Sequence, residues 1–281
     1  QGDSMPEKNN PEVENFIADF KKKAIEAITS LNGTMWQAKT WEHKGPAPSD
    51  PEQIAYTYCH EVNASRGSVF EKATVSEISI DWPKAAKTLV DLKLASESDA
   101  VSVRVLQIEI FPLSSLLPLG HFNIERFYAG KNMLNANMDV FPAATPTEDV
   151  DSLRKQMSEV AEKYGKDQWQ LSSGLAQQYN MDGWQYPLAA RAGFQFKMIP
   201  LEDNFLLVRD GADVFLNGYM EMVKKLKDYR FSTDDDVLKN EMRTHWLEYS
   251  LMKDGAVRMG REKGHPFEAL RWMGLPPTVH Y

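Results

Sequence analysis

The periodic part of the chain opens on "PEVENFIADFKKKAIEAITSLNG". Phe16, Ile17, Phe20, Ala24, Ala27, Ile28 and Leu31 recur there at three- and four-residue spacing. That is one apolar stripe on a helix, and Asn32-Gly33 supplies its stop. "KGPAPSDPEQ" is a loop by its prolines. The period then changes to two. "IAYTYCHEV", "SVFEKATVSEISID", "VSVRVLQIEIF", "PLGHFNIERFYAG" and "NMLNANMDVF" alternate and are rich in β-branched and aromatic residues, which predicts consecutive strands. A helix is expected around 84–95, and helical spacing returns over 148–164 and 167–179. "RAGFQFKMI" reads as strand and "ADVFLNGYMEMVKKLKDY" as helix. Thr233, followed by three aspartates, predicts the N-cap of "TDDDVLKNEMRTHW". β-like "WLEYSLM" and "AVRMGR" flank Lys253-Asp254-Gly255, a hairpin signal, and "PFEALRWMG" is a short closing helix. Strands joined by short turns predict an α/β fold of the α+β type: a central, largely antiparallel sheet flanked by helices on both sides. Residues 11–281 are expected to form a single domain. Residues 1–10 read as a disordered tail or a cloning remnant.

One strand does not follow the ordinary rule. In "PLGHFNIERFYAG", Phe122, Ile124, Arg126 and Tyr128 share one face, while His121, Asn123 and Glu125 share the other. An arginine stands on the more apolar face. The opposite face carries three groups that hydrogen-bond or titrate, and Asp139 lies within cross-strand reach on the next strand. That face is either wetted surface or the floor of a pocket. Imidazole and carboxylate on one face also make a ligand set for non-haem iron or zinc at His121, Glu125 and Asp139. A hydrogen-bonded catalytic or binding floor is the preferred reading, with no metal. Two other features read as ordinary structure. Glu159 and Glu162 share a solvated helix face. His60 and Glu61 are strand neighbours and so point to opposite faces.

Bulk composition narrows the classes. Of 281 residues, 42% are hydrophobic and 26% charged, an ordinary globular mix. The net charge of −8 argues against a protein that binds nucleic acid by neutralising phosphates. Cys59 is the single cysteine, which excludes an intramolecular disulfide and a cysteine-based zinc site. A reducing intracellular compartment, cytoplasm or organelle, is the natural expectation. No apolar run reaches membrane-spanning length, and no phosphate loop, dinucleotide fingerprint or HExxH motif is present.

The motifs taken together resemble a known family. "SVFEKATVSEISI" resembles the "VFEKAGVN.S" signature of oxygen-dependent coproporphyrinogen III oxidases, and "IFPLSSLLPLGHFNIERFY" resembles their "IHPxNPxxPTxHFNxRYF". "MDVFPA" stands where the family has "xDLTP". "WLEYSLMKDGAVRMG" resembles "xVEFNLxYDRGTxFG", and "ALRWMGLPP" resembles the closing "ILMSLPP". The likeness runs from about Pro11 to the end. It implies the fold of ferredoxin-dependent bilin reductases and a tetrapyrrole cleft against one sheet face. It further implies an activity that removes carboxyl and hydride from two propionates, with dioxygen as co-substrate and no metal or organic cofactor. A homodimer is implied as well.

By this resemblance His121, Asp139 and Asp254 are the catalytic candidates and Asn123 a substrate-binding one. His121, Asn123, Asp139 and Asp254 are expected to line one cavity, with Asp254 at a hairpin tip. Three family arginines are replaced: by Glu125, by Gly255 and by His43. A propionate needs a fixed cation with parallel donors, and a carboxylate in that place repels it. Glu125 and His43 therefore mark altered substrate recognition, with Arg191, Arg258, Arg261 and Lys253 as compensating cations. Three functions remain open at this stage. The first is an oxidase or decarboxylase acting on a tetrapyrrole with differently placed carboxylates. The second is a bilin-reductase-like enzyme, with Asp139 and His121 as proton donors and ferredoxin as partner. The third is a non-catalytic tetrapyrrole-binding descendant.

Overall fold

The computed structural model describes residues 9–46, 52–85, 87–91, 93–181 and 188–280. Most of the expected terminal tail and part of the proline-rich loop fall outside the described residues. Helix α1, Pro11–Asn32, starts on Asn10, whose side chain accepts N–H bonds from Glu12 and Val13. Asn10 therefore belongs to the helix rather than to a tail. Seven strands follow, interrupted by helices: β1 Trp36–Pro46, β2 Ala55–Ser65, β3 Phe70–Trp82, β4 Val101–Pro112, β5 Leu119–Tyr128, β6 Met133–Phe141 and β7 Phe194–Pro200. They pair antiparallel in chain order. The largely antiparallel sheet between helices is thus the observed architecture.

The sequence reading omits β1. Only Trp41 is buried along it, so it has no apolar alternation to detect, and its Lys39, Glu42 and Lys44 suit an exposed sheet edge. Short α2, Lys87–Asp91, lies within the expected 84–95 helix. Next come α3, Thr147–Lys163, then α4, Gln168–Leu171, and α5, Ser173–Tyr179, two short helices in place of one. Helix α6, Leu201–Leu226, begins eleven residues before the expected start at Ala212. Leu201, Phe205 and Val208 continue its buried stripe, and Gly211 lets it close on β7: a Cβ there would meet Phe194 at 2.8 Å. Helix α7, Thr233–Glu248, is capped by Ser232 rather than by Thr233, through a capping box with Asp235.

The expected hairpin at Lys253-Asp254-Gly255 is not formed. The chain leaves α7 through a π-helical turn, Tyr249–Lys253, and enters α8, Gly255–Glu262. The Asp254 carboxylate accepts the N–H groups of Ala256 (2.8 Å) and Val257 (3.0 Å), so Asp-Gly acts here as a helix start. Helix α9, Phe267–Met273, closes the chain's regular structure.

The two sheet faces differ. Helices α1, α3 and α6 cover one of them with a continuous apolar core that takes in Phe20, Ile108, Phe122, Ile124, Val140, Met157 and Phe215. Arg126 is accommodated there because Glu14 of α1 takes its Nε and Nη2 donors, both at 2.9 Å, and also the Tyr128 hydroxyl at 2.5 Å. The other face is covered by α5, by α7 to α9 and by the π-helical turn. Register sets its side chains in rows across the sheet. The first is Thr74, Glu109, His121, Asp139; the second Ser76, Gln107, Asn123, Asn137. The third is His60, Ile78, Val105, Glu125, Asn135, and the fourth Tyr58, Ile80, Val103, Phe127, Met133.

Candidate functional site

The first row is sealed. Glu109 Oε1 lies 2.7 Å from His121 Nδ1 and accepts the Gln107 amide at 2.8 Å. Glu109 is fully buried and His121 nearly so, under the rings of Phe141, Tyr179 and Trp246 at 5.3–6.1 Å. Burial pulls the His121 imidazole down, but the charge and hydrogen bond of Glu109 outweigh it and the net direction is up. Buried Lys72 binds the carbonyls of Arg271 (3.3 Å) and Leu275, holding α9 to the sheet. Burial takes its ammonium down to about 7, against the pull of Glu109.

Asp139, directly opposite His121, has both oxygens committed. Oδ2 accepts the N–H of Arg191 at 2.8 Å, and Oδ1 those of Ala192 at 2.9 Å and Gly193 at 3.2 Å. Burial raises its carboxyl to about 6, and these backbone donors hold it from rising further. They also hold Arg191 at φ 57, in the left-handed region. The metal reading of His121, Glu125 and Asp139 meets a set of already bonded donors. Among the described residues no three His, Cys, Asp or Glu side chains are grouped to take an ion.

From the second row onward the covering helices stand off the sheet. They leave a cavity of about 500 Å³, within the usual range for small-molecule sites. Its floor is mostly apolar: Ile78, Ile80, Val103, Val105 and Phe127 from three strands, with Met273, Leu270 and Val257 above. Polar groups gather where α8 begins: Gln107, Glu125 and Asp254. Their orientation follows from hydrogen-bond logic. The Asn137 N–H takes Asn123 Oδ1 at 2.9 Å, so Asn123 offers its amide donor to Glu125 Oε1 at 3.0 Å, while Asn135 donates to Oε2 at 3.1 Å. A carboxylate only accepts, so Gln107 must turn its amide N–H to Glu109 and keep its carbonyl for the cavity. Desolvation raises the carboxyls of both Glu125 and Asp254. Asn135 and Asn123 oppose the rise at Glu125, and the α8 amides oppose it at Asp254.

The far end has a different character. Tyr58 stacks on His265 at 4.0 Å and its hydroxyl lies 3.0 Å from His60 Nδ1. Burial lowers both imidazoles to about 4, helped by His265 on His60 and by Lys263 on His265, so they are neutral. Lys263 Nζ stands over the rings of Trp82 (5.5 Å) and Tyr56 (5.9 Å), and Arg261 lines the same end.

The expected residues therefore separate. His121, Asn123 and Asp139 share the cavity face, but apart from the compensating cations only Glu125 and Asp254 of the expected residues line the cavity itself. His43 packs at a tilt against Tyr56, with ring centroids 5.1 Å apart, outside the lining. Arg191 is turned onto Trp169, bonding its carbonyl at 2.9 Å with the guanidinium 4.8 Å from the ring. Arg258 is exposed on α8, and Lys253 bonds the carbonyls of Gln177 and Asn180. Of the four compensating cations only Arg261 lines the cavity. Sequence reasoning missed Gln107, Glu109, His60, His265 and Lys263. The signal for the first two was present: polar residues two apart, on the same parity as Val103 and Val105, in a strand that is apolar on both faces. His265 carries no local signal.

The profile of the coproporphyrinogen III oxidase family matches residues 12–281. Among curated proteins, an oxygen-dependent coproporphyrinogen-III oxidase of Francisella philomiragia is 22% identical over 279 residues, covering 95% of this chain and 89% of that protein. With a family match over nearly the whole length, on a sheet that forms a cavity against its covering helices, this chain belongs to the coproporphyrinogen III oxidase family as a divergent member.

Proposed function

We propose that this chain binds a tetrapyrrole in the cavity between the sheet and α8–α9, and acts on it as an oxidoreductase of the coproporphyrinogen-oxidase type with altered recognition of carboxylate side chains. The observation that carries the reading is a mostly apolar cavity of about 500 Å³ ending on two carboxyls, Glu125 and Asp254, and the Gln107 carbonyl. Flat apolar walls suit a conjugated or reduced pyrrole framework, and an all-acceptor end suits its N–H groups. Family membership supplies the substrate class and the oxidative reaction. The glutamate and glycine in place of family arginines supply the altered recognition.

A second reading draws on one further observation. Glu125 and Asp254 both have raised carboxyl pKa values, so each holds a proton more readily than an ordinary carboxylate. Such groups suit proton delivery during reduction of a linear tetrapyrrole. This moves the donor role from His121 and Asp139 to two residues that face the cavity.

The test is incubation with coproporphyrinogen III, haem and biliverdin, each with and without reductant, followed by visible spectra and product masses. The oxidase reading expects binding, with slow conversion of coproporphyrinogen III. A lost charge-assisted hydrogen bond costs about 1.5–3 kcal/mol, so two missing arginines lower efficiency by roughly a hundredfold or more. Rapid turnover would show that recognition is unaltered. Reduction of biliverdin would select the second reading, and binding without turnover a non-catalytic descendant. No binding of any of the three would remove the cavity assignment.

A further inference from the structure

Helix α8 crosses the cavity from end to end, and its two termini carry opposite chemistry. Its N-cap, Asp254, lies with Glu125 and Gln107. Its C-terminal end brings Arg261 to the cavity lining and Lys263 over Trp82. Strand register gives the separation. Gln107 and Val101, the β4 partner of Trp82, both line the cavity and are six residues apart on one strand, roughly 20 Å. Eight helical residues span about 12 Å over the same course. Among the described residues, neither Arg261 nor Lys263 is engaged in an ion pair. Among the described residues lining it, the acceptor end holds no cation, and Asn123 and Asn135 each turn an amide N–H to Glu125.

We infer that the ligand lies with its carboxylate side chains at the C-terminal end of α8, against Arg261 and Lys263, and its pyrrole N–H groups toward Glu125, Asp254 and Gln107. This rests on the tetrapyrrole reading above and adds a direction to it. A carboxylate at the acceptor end would face two carboxyl groups and a carbonyl, with no fixed cation among the described lining residues to meet it. A pyrrole N–H at the cationic end would lie near Arg261 and Lys263, whose side chains can only donate. The cavity is therefore polarised for an elongated or edge-asymmetric tetrapyrrole whose acid groups sit on one side. Its carboxylates are kept away from the sealed row of His121 and Asp139. Arg261 and Lys263 become the specificity-determining residues, at positions other than the three where family arginines are replaced.

The experiment compares coproporphyrin III and biliverdin, each as the free acid and as its methyl ester, by absorbance and fluorescence titration at low and high salt. At least one acid is expected to bind about tenfold or more tightly than its ester, and to lose that advantage at high salt. In Arg261→Glu/Lys263→Glu the acid falls to the affinity of the ester, while the ester is unchanged, which also shows that the variant is folded. Exposed Arg261→Glu alone gives a partial loss, and covers the case in which the double variant is unstable. Glu125→Gln weakens acid and ester by the same factor. Equal binding of acid and ester to the wild-type protein would overturn the orientation, as would an acid-to-ester ratio untouched by the charge reversals. Failure of all four probes to bind would overturn the tetrapyrrole reading itself.

Discussion

The two faces of one sheet are built from the same strands, yet they solve different problems. On the α1/α3/α6 face, β3 to β7 contribute apolar side chains to a continuous core, and its two arginines, Arg104 and Arg126, are matched by Asp81 and Glu14. On the other face the same strands contribute Glu109, Gln107, His121, Asn123, Glu125 and Asp139. Only part of that face is packed, by the Phe141, Tyr179, Trp246 cluster. The difference teaches where stability and chemistry are divided. The first face earns the fold its burial, and the second tolerates desolvated polar groups because most of their atoms are hydrogen-bonded, to neighbouring side chains or to backbone N–H groups.

The largest effect that separates the faces is expected in the apolar core. Phe122 packs on Phe20 at 4.9 Å and Phe215 at 6.5 Å, so Phe122→Ala should cost about 3–5 kcal/mol in denaturant unfolding. A loss below about 1 kcal/mol would mean that this face is not the main source of stability.

Asp139→Asn comes next. The amide of asparagine must set N–H groups against at least one of three backbone donors, so a loss of about 1–3 kcal/mol is expected, with β7 loosened in hydrogen exchange. The pH behaviour has a definite sign. A carboxyl raised from 3.8 to about 6 favours its protonated form in the folded state. Its ionisation therefore lowers stability progressively as pH climbs from about 4 through 6, and the wild-type advantage over Asn should be greatest at the acid side of that window. A fully stable Asn variant with altered chemistry would instead support the catalytic role first expected of Asp139.

Glu109→Gln is a smaller and more local test. The raised pKa of His121 contributes stability that is present below the unfolded value of 6.5 and is lost as pH rises through the folded value. Without the carboxylate, the imidazole titration followed by NMR should move to lower pH, and the acid-side stability increment should disappear. An unmoved titration would mean that Glu109 does not charge His121. At the bottom of the scale, Glu159→Ala and Glu162→Ala alter exposed positions of α3 and should change stability by less than about 0.5 kcal/mol.

Much of this was legible in the chain because its causes are local. Period-two alternation named β2 to β6, and the stripe of Phe16, Phe20, Ala24 and Ile28 named α1. The anomaly of the His121, Asn123, Glu125 face was equally visible, since side-chain parity is a property of the strand alone. The family motifs added the helical layers about the sheet and a cleft on that face. Tertiary structure decided what local pattern leaves open. It turned Asp254-Gly255 from a hairpin tip into a helix start, with the Asp254 carboxylate capping the first amides of α8 where that helix borders the cavity. It paired His121 with Glu109 instead of Asp139, because Asp139 found three backbone donors more than fifty residues ahead. And it set Arg261 and Lys263 at one end of a cavity and Glu125 and Asp254 at the other. Which charges share a space depends on how far helices stand from a sheet, a distance fixed by packing between segments remote in sequence.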